Sequence, residues 1–124
     1  MRVVLYLHVV GATVYVGGMI TLSLLVPALR DATDDRTVIQ AVAKRFGVIS
    51  WTALGIQVAT GTLLVLDRVW TRTLILKLGL VMLSVMLAAW HTVAARHHSP
   101  KFRGAMQGII LVLALVIVWL ALQV

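Results

Sequence analysis

The 124-residue chain has no cysteine, no glutamate, two prolines and only four acidic side chains. Without cysteine there is no disulfide framework, no thiolate metal centre and no thiol nucleophile. The acids are Asp31, Asp34, Asp35 and Asp67, and none falls inside a long apolar run. A carboxylate-based proton relay within such runs is therefore disfavoured. Charged residues make up 12% of the chain, about half the ~25% typical of soluble domains. That is too little charge to cover a small water-soluble body.

What is present in excess is apolar: 61% of the residues are hydrophobic. Disorder requires the opposite composition. The net charge of +7 raises the question of nucleic acid, but the basic residues sit between apolar runs, as juxtamembrane residues do. No nucleic-acid partner is expected. The composition describes a membrane protein whose first partner is the lipid bilayer.

A spanning helix needs roughly 20 mostly apolar residues, and four runs qualify: about 3–29, 46–66, 74–95 and 104–124. Val26-Pro27-Ala28 loosely resembles a signal cleavage site. The apolar stretch before it is about twice the usual 7–15 residues of a signal, so it reads as a span. Neither strand periodicity nor the alternating segments of an outer-membrane barrel occur. The expectation is all-α: an integral membrane four-helix bundle forming a single membrane domain over 1–124. A cap near Thr33 or Asp34 precedes a short surface helix at about 35–45 that runs into the second span. Asp67 to Thr73 reads as a tight turn. His97 and His98, beside Arg96, read as part of a solvated basic loop.

The loops after the first and third spans hold Arg30, Arg36, Lys44, Arg45, Arg96, Lys101 and Arg103, against Arg2, Arg68, Arg72 and Lys77 on the other side. This bias places the first group in the cytoplasm. Both termini then face the exterior of a bacterial-type cytoplasmic (inner) membrane.

Polar residues inside spans cost free energy and usually face the interior. In the third span Lys77, Ser84 and His91 recur every seven residues and form one stripe. His8 and Tyr15 do the same in the first span, with Gly11 and Gly18 alongside. Ser50 and Gln57, then Thr60 and Gly61, line the second. Converting position to depth puts His8 level with Lys77 and the Thr60–Leu64 region. Tyr15, Gln57 and Ser84 fall near the midplane. His8 and His91 lie about 20 Å apart along the membrane normal at 1.5 Å per residue. They belong to two sites, if both bind a ligand.

Each of these residues also has a purely structural reading. His8 is either a ligand or an interfacial ring hydrogen-bonded to a neighbouring helix. His91, next to Trp90, is either a ligand or part of an interfacial belt. Lys77 either snorkels or compensates an anionic group near His8. Met19 and Met86 are either lipid-phase packing residues or thioether ligands suited to Cu(I). Gly104 and Gly108 have the spacing of a close helix contact.

Several short motifs resemble a known family. Leu7-His8, then Gly17-Gly18 and Pro27, resemble the first helix of the copper-resistance protein D (CopD) membrane domain. Arg45-Phe46 leading to Thr60-Gly61 resembles its second helix, and Leu76-Lys77-Leu78-Gly79-Leu80-Val81 its third. The likeness covers nearly the whole chain in the right order. It implies copper handling, by binding or transfer across the membrane, with His8, His91, Met19 and Met86 as candidate metal ligands.

A related group, the HemJ-type protoporphyrinogen oxidases, shares the LH and KLxLV motifs. That likeness implies haem b, with His8 as candidate axial ligand and Tyr15 and Lys77 at the porphyrin edge. The chain differs from that group in having Val14-Tyr15-Val16 where tryptophan is common. Three functions stay open: a copper-handling module, a haem-binding redox protein, and a small accessory subunit of a larger membrane complex. A homodimer or a larger assembly is expected in each.

Overall fold

In lipid, a backbone amide has no water to bond, so each spanning run must satisfy its own N–H and C=O groups, which a helix does. The computed structural model describes residues 2–94 and 100–123, and the four apolar runs are four helices. They are α1 (Arg2–Ala32), α2 (Arg36–Val65), α3 (Arg72–Ala94) and α4 (Pro100–Ala121). No strand occurs among the described residues. All four helices are long and apolar enough to cross a membrane. The chain is an all-α, multi-pass membrane protein. The connector residues Arg96, His97 and His98 lie outside the described residues.

Two boundaries differ from expectation, each for a physical reason. The first helix runs through Pro27 to Ala32, about three residues past the expected end near 29. Proline forfeits only its own N–H bond and crowds the turn before it. The Ser23 hydroxyl in that turn donates to the Met19 carbonyl at 2.7 Å. The segment expected as a short surface helix at 35–45 forms the opening turns of α2, in one unbroken helix of 30 residues. At 1.5 Å per residue, α2 is about 45 Å long, well beyond a ~30 Å hydrocarbon core. Its charged end with Arg36, Lys44 and Arg45 extends past the apolar stretch along the same axis.

The N-cap of α2 is Asp35, one or two residues beyond the expected position. Its carboxylate accepts from the Thr37 amide at 2.9 Å and the Thr37 hydroxyl at 2.6 Å. The Thr33 hydroxyl in turn accepts from the Asp35 amide. At the start of α3, Thr71 plays the same part, its hydroxyl accepting from the Leu74 amide at 3.2 Å.

The chain divides into two compact units, Met1–Arg68 and Val69–Val124. In the first, α1 packs on α2; in the second, α3 packs on α4. The α1–α2 pair is close because glycine permits it. A Cβ on Gly11 would lie 2.8 Å from Gln57 Nε2, and one on Gly18 would lie 3.3 Å from a ring carbon of Phe46. The buried face of α1 carries Gly11, Tyr15 and Met19, and that of α2 Ala53, Leu54 and Thr60. In the α3–α4 unit, Trp90 and Phe102 meet edge to face with ring centroids 5.9 Å apart. Such a pair adds about 0.5–1.5 kcal/mol beyond its buried area. Leu74, Ser84, Ile110 and Ala114 are its buried side chains.

The hydroxyls follow the same lipid logic. Thr13, Thr21, Thr52, Thr62 and Thr92 each donate to the carbonyl four residues back. No side-chain N or O atom is buried without a hydrogen-bond partner among the described residues. The outside is apolar, with Val3, Leu24, Met82, Val93 and Trp119 all largely exposed, as a lipid-facing surface requires.

The two Thr37 bonds hold the Asp35 carboxyl below its ordinary value of 3.8, the hydroxyl bond contributing most. A carboxyl with a depressed pKa stabilises the fold above its unfolded value, and that contribution is lost as pH falls through the folded value. The cap of α2 therefore weakens only in acid, below pH 3.8. Replacing Thr37 by Val should move the Asp35 titration upward, read from its side-chain carbon shift by NMR. An unchanged titration would rule out the hydroxyl as the main cause.

Candidate functional site

His8 lies two turns into α1, half-buried, and faces α2. Its Nδ1 is 2.8 Å from the Thr60 hydroxyl. Thr60 has one hydroxyl proton, and the Ile56 carbonyl also lies within its reach at 2.6 Å. With its proton on Ile56, Thr60 accepts from His8 Nδ1–H; with its proton on the ring, Nδ1 is the acceptor, and the tautomer of His8 decides between the two. In the first arrangement Nε2 is the unprotonated ring nitrogen. An N–H bond to a fixed acceptor is the usual device for setting the tautomer and angle of a ligating histidine.

Two further residues hold the ring in place. Gly61 supports its side: a Cβ there would lie 3.2 Å from His8 Cε1. Only glycine leaves the imidazole this position without displacement. The Gln57 side-chain amide donates to the His8 backbone carbonyl. A carbonyl has two lone pairs and the helix ladder uses one, so the second is available to Gln57. The three contacts come from one face of α2, with 57, 60 and 61 within a single turn.

Within this unit the antiparallel register pairs 8 with 60, 11 with 57 and 18 with 46. The depth expected for His8 against Thr60 is therefore met. Gln57 sits about one turn from the level of Tyr15 and belongs with His8 and Gly11 instead. Gly11 and Gly61 matter through their lack of a side chain. Their sequence signal was only their place beside a polar stripe.

Tyr15 is buried two turns from His8 on the same face of α1. Met19 is 1% exposed. Eleven residues separate it from His8, about 16 Å along the helix, so the two cannot ligate one ion. On α3, Lys77 and His91 are half-buried and Ser84 is buried, which keeps all three on a less exposed stripe. Met86 is 61% exposed. It is offset from His91 by about 140° around the helix at 100° per residue. Among the described residues no three His, Cys, Asp or Glu side chains cluster to hold a metal ion.

A cavity of about 200 Å³ opens one turn outward from His8, lined by Arg2, Leu5, Leu64, Asp67 and Arg68. It is the one feature of this end of the unit that polarity by depth did not indicate.

Comparison with protein-family models, curated proteins and solved structures finds no match for the chain. The chemistry of the site therefore rests on its own geometry.

A double-mutant cycle on His8→Ala and Thr60→Ala should return a coupling of about 0.6–1.7 kcal/mol, the range of interhelical hydrogen bonds in membranes. The measurement is detergent-induced unfolding of the four species in micelles. Additive single effects would remove the hydrogen bond from the account.

Proposed function

We propose that this membrane protein binds a metal-centred ligand through His8, and that haem b is the ligand its donor set suits best. The observation that carries the reading is the imidazole of His8 held between helices, its Nδ1 on the Thr60 hydroxyl and its ring edge beside Gly61. Haem iron is held by one protein imidazole in many proteins, so a single well-set histidine is a sufficient donor. Bound haem would supply one-electron chemistry. The chain's part is to fix the imidazole by Thr60, leave room for its edge at Gly61 and brace the α1 backbone through Gln57.

Copper in transit is the second reading, and a specific observation favours it. The short motifs behind the copper-resistance protein D likeness meet in pairs across α1 and α2. His8 of the first motif lies on Thr60-Gly61, and Gly18 lies against Phe46. His8 and Met19 then act as separate stations for Cu(I) rather than one closed centre, in keeping with the need for a transported ion to leave each site. Met86 and His91 are stations in the second unit under the same reading. We place the protein in a bacterial-type cytoplasmic membrane with both termini outside, on the basic-residue bias. It works there as a homodimer or as a subunit of a larger complex.

The test is an optical spectrum and a copper analysis on the purified protein, expressed with haem and copper supplied. The haem reading predicts a Soret band that is lost in His8→Ala. Copper bound without a Soret band, and reduced in His8→Ala, would replace haem with copper. Neither signal, or signals unaffected by His8→Ala, would overturn the ligand proposal and leave an accessory subunit.

A further inference from the structure

We propose that the cavity at the outer end of the α1–α2 pair is a binding site for the headgroup of an anionic phospholipid, phosphatidylglycerol in chemistry. The cavity is lined by the charged residues Arg2, Asp67 and Arg68 together with Leu5 and Leu64, and its surface is mostly apolar. The residues come from both ends of one hairpin. Arg2 is the first residue of α1, and Asp67 and Arg68 follow the last turn of α2. Because both helices span the membrane, this level is where hydrocarbon gives way to headgroups.

The chemistry of the wall selects among membrane components. Guanidiniums bind phosphate oxygens in a planar fork. Two of them against one carboxylate leave one net positive charge, which a phosphodiester with no headgroup amine neutralises. Asp67 is an acceptor and needs a donor, which glycerol hydroxyls provide. The quaternary ammonium of phosphatidylcholine has no N–H or O–H to give. Leu5 and Leu64 point the same cavity toward the acyl region, so the ligand must be polar at one end and apolar at the other. Inorganic phosphate meets only half of these requirements.

The five lining residues are distinct from those that hold His8, so the site stands whatever ligand that ring takes. The experiment uses the full chain in nanodiscs of phosphatidylcholine containing a minor fraction of phosphatidylglycerol. Retained lipid is counted by native mass spectrometry after gentle release. Phosphatidylglycerol should be enriched over its fraction in the disc. Arg2→Gln and Arg68→Gln should each reduce that enrichment roughly fivefold, from about 1 kcal/mol per basic residue at an anionic surface. Arg72→Gln, outside the cavity, should leave it unchanged, which controls for loss of charge in general. Enrichment equal in the Arg2→Gln, Arg68→Gln double variant and in the wild type would overturn the proposal. So would retention of the two lipids in proportion to their fractions in the disc. Displacement of the lipid by millimolar inorganic phosphate would reassign the site to a free anion.

Discussion

An imidazole inside a bilayer has no water to receive its N–H, and that constraint organises the α1–α2 pair. His8 Nδ1 lies on the Thr60 hydroxyl, which also reaches back to the α2 ladder at the Ile56 carbonyl. Nδ1 and the Thr60 hydroxyl thus find their partners inside the protein. With the Thr60 proton on Ile56, His8 carries its own on Nδ1. The same bond holds α1 at a fixed rotation and height against α2, and the neighbouring glycines make the distance possible. Gly11 and Gly18 on α1 and Gly61 on α2 each stand where a side chain would press on the opposite helix. Helix association in lipid depends on such close packing and on occasional interhelical hydrogen bonds. The unit uses both.

The functional reading rests on this arrangement because a ligating histidine needs two things from its protein. One is a second partner that fixes the ring, and the other is a surrounding that a bulky side chain does not fill. Thr60 supplies the first and Gly61 the second. The chemistry open to the site depends on how many donors converge, and here one nitrogen stands apart from the thioether of Met19 by about three helical turns. That spacing suits a cofactor satisfied by one axial imidazole, or an ion passed between stations, better than a closed metal centre. The cavity lined by Arg2, Asp67 and Arg68 lies at the same end of this hairpin.

The number and kind of the elements were legible because run length and apolarity are enough to specify a membrane helix. The stripe Lys77–Ser84–His91 was legible too, since a seven-residue recurrence stays on one face. Depth arithmetic brought His8 to the level of Thr60 from sequence alone. It did not reach the hydrogen bond, because rise fixes height but not rotation about the helix axis. Gln57 was placed with Tyr15 for that reason, while α2 presents it to the His8 carbonyl. The first turns of α2 read as a surface helix running into the second span because their charges mark a change of solvent, and the two form one unbroken helix. The cavity at Arg2 and Arg68 was missed because its residues are far apart in sequence and each, alone, is an ordinary flanking arginine.

The tautomer of His8 tests the central claim most directly. Nitrogen-15 NMR of the protein with labelled histidine in lipid bilayers, assigned against His8→Ala, separates protonated from unprotonated ring nitrogens. The account predicts a proton on Nδ1 and an unprotonated or metal-bound Nε2. A proton found on Nε2, with Nδ1 bare, would reverse the donation to Thr60 and contradict it.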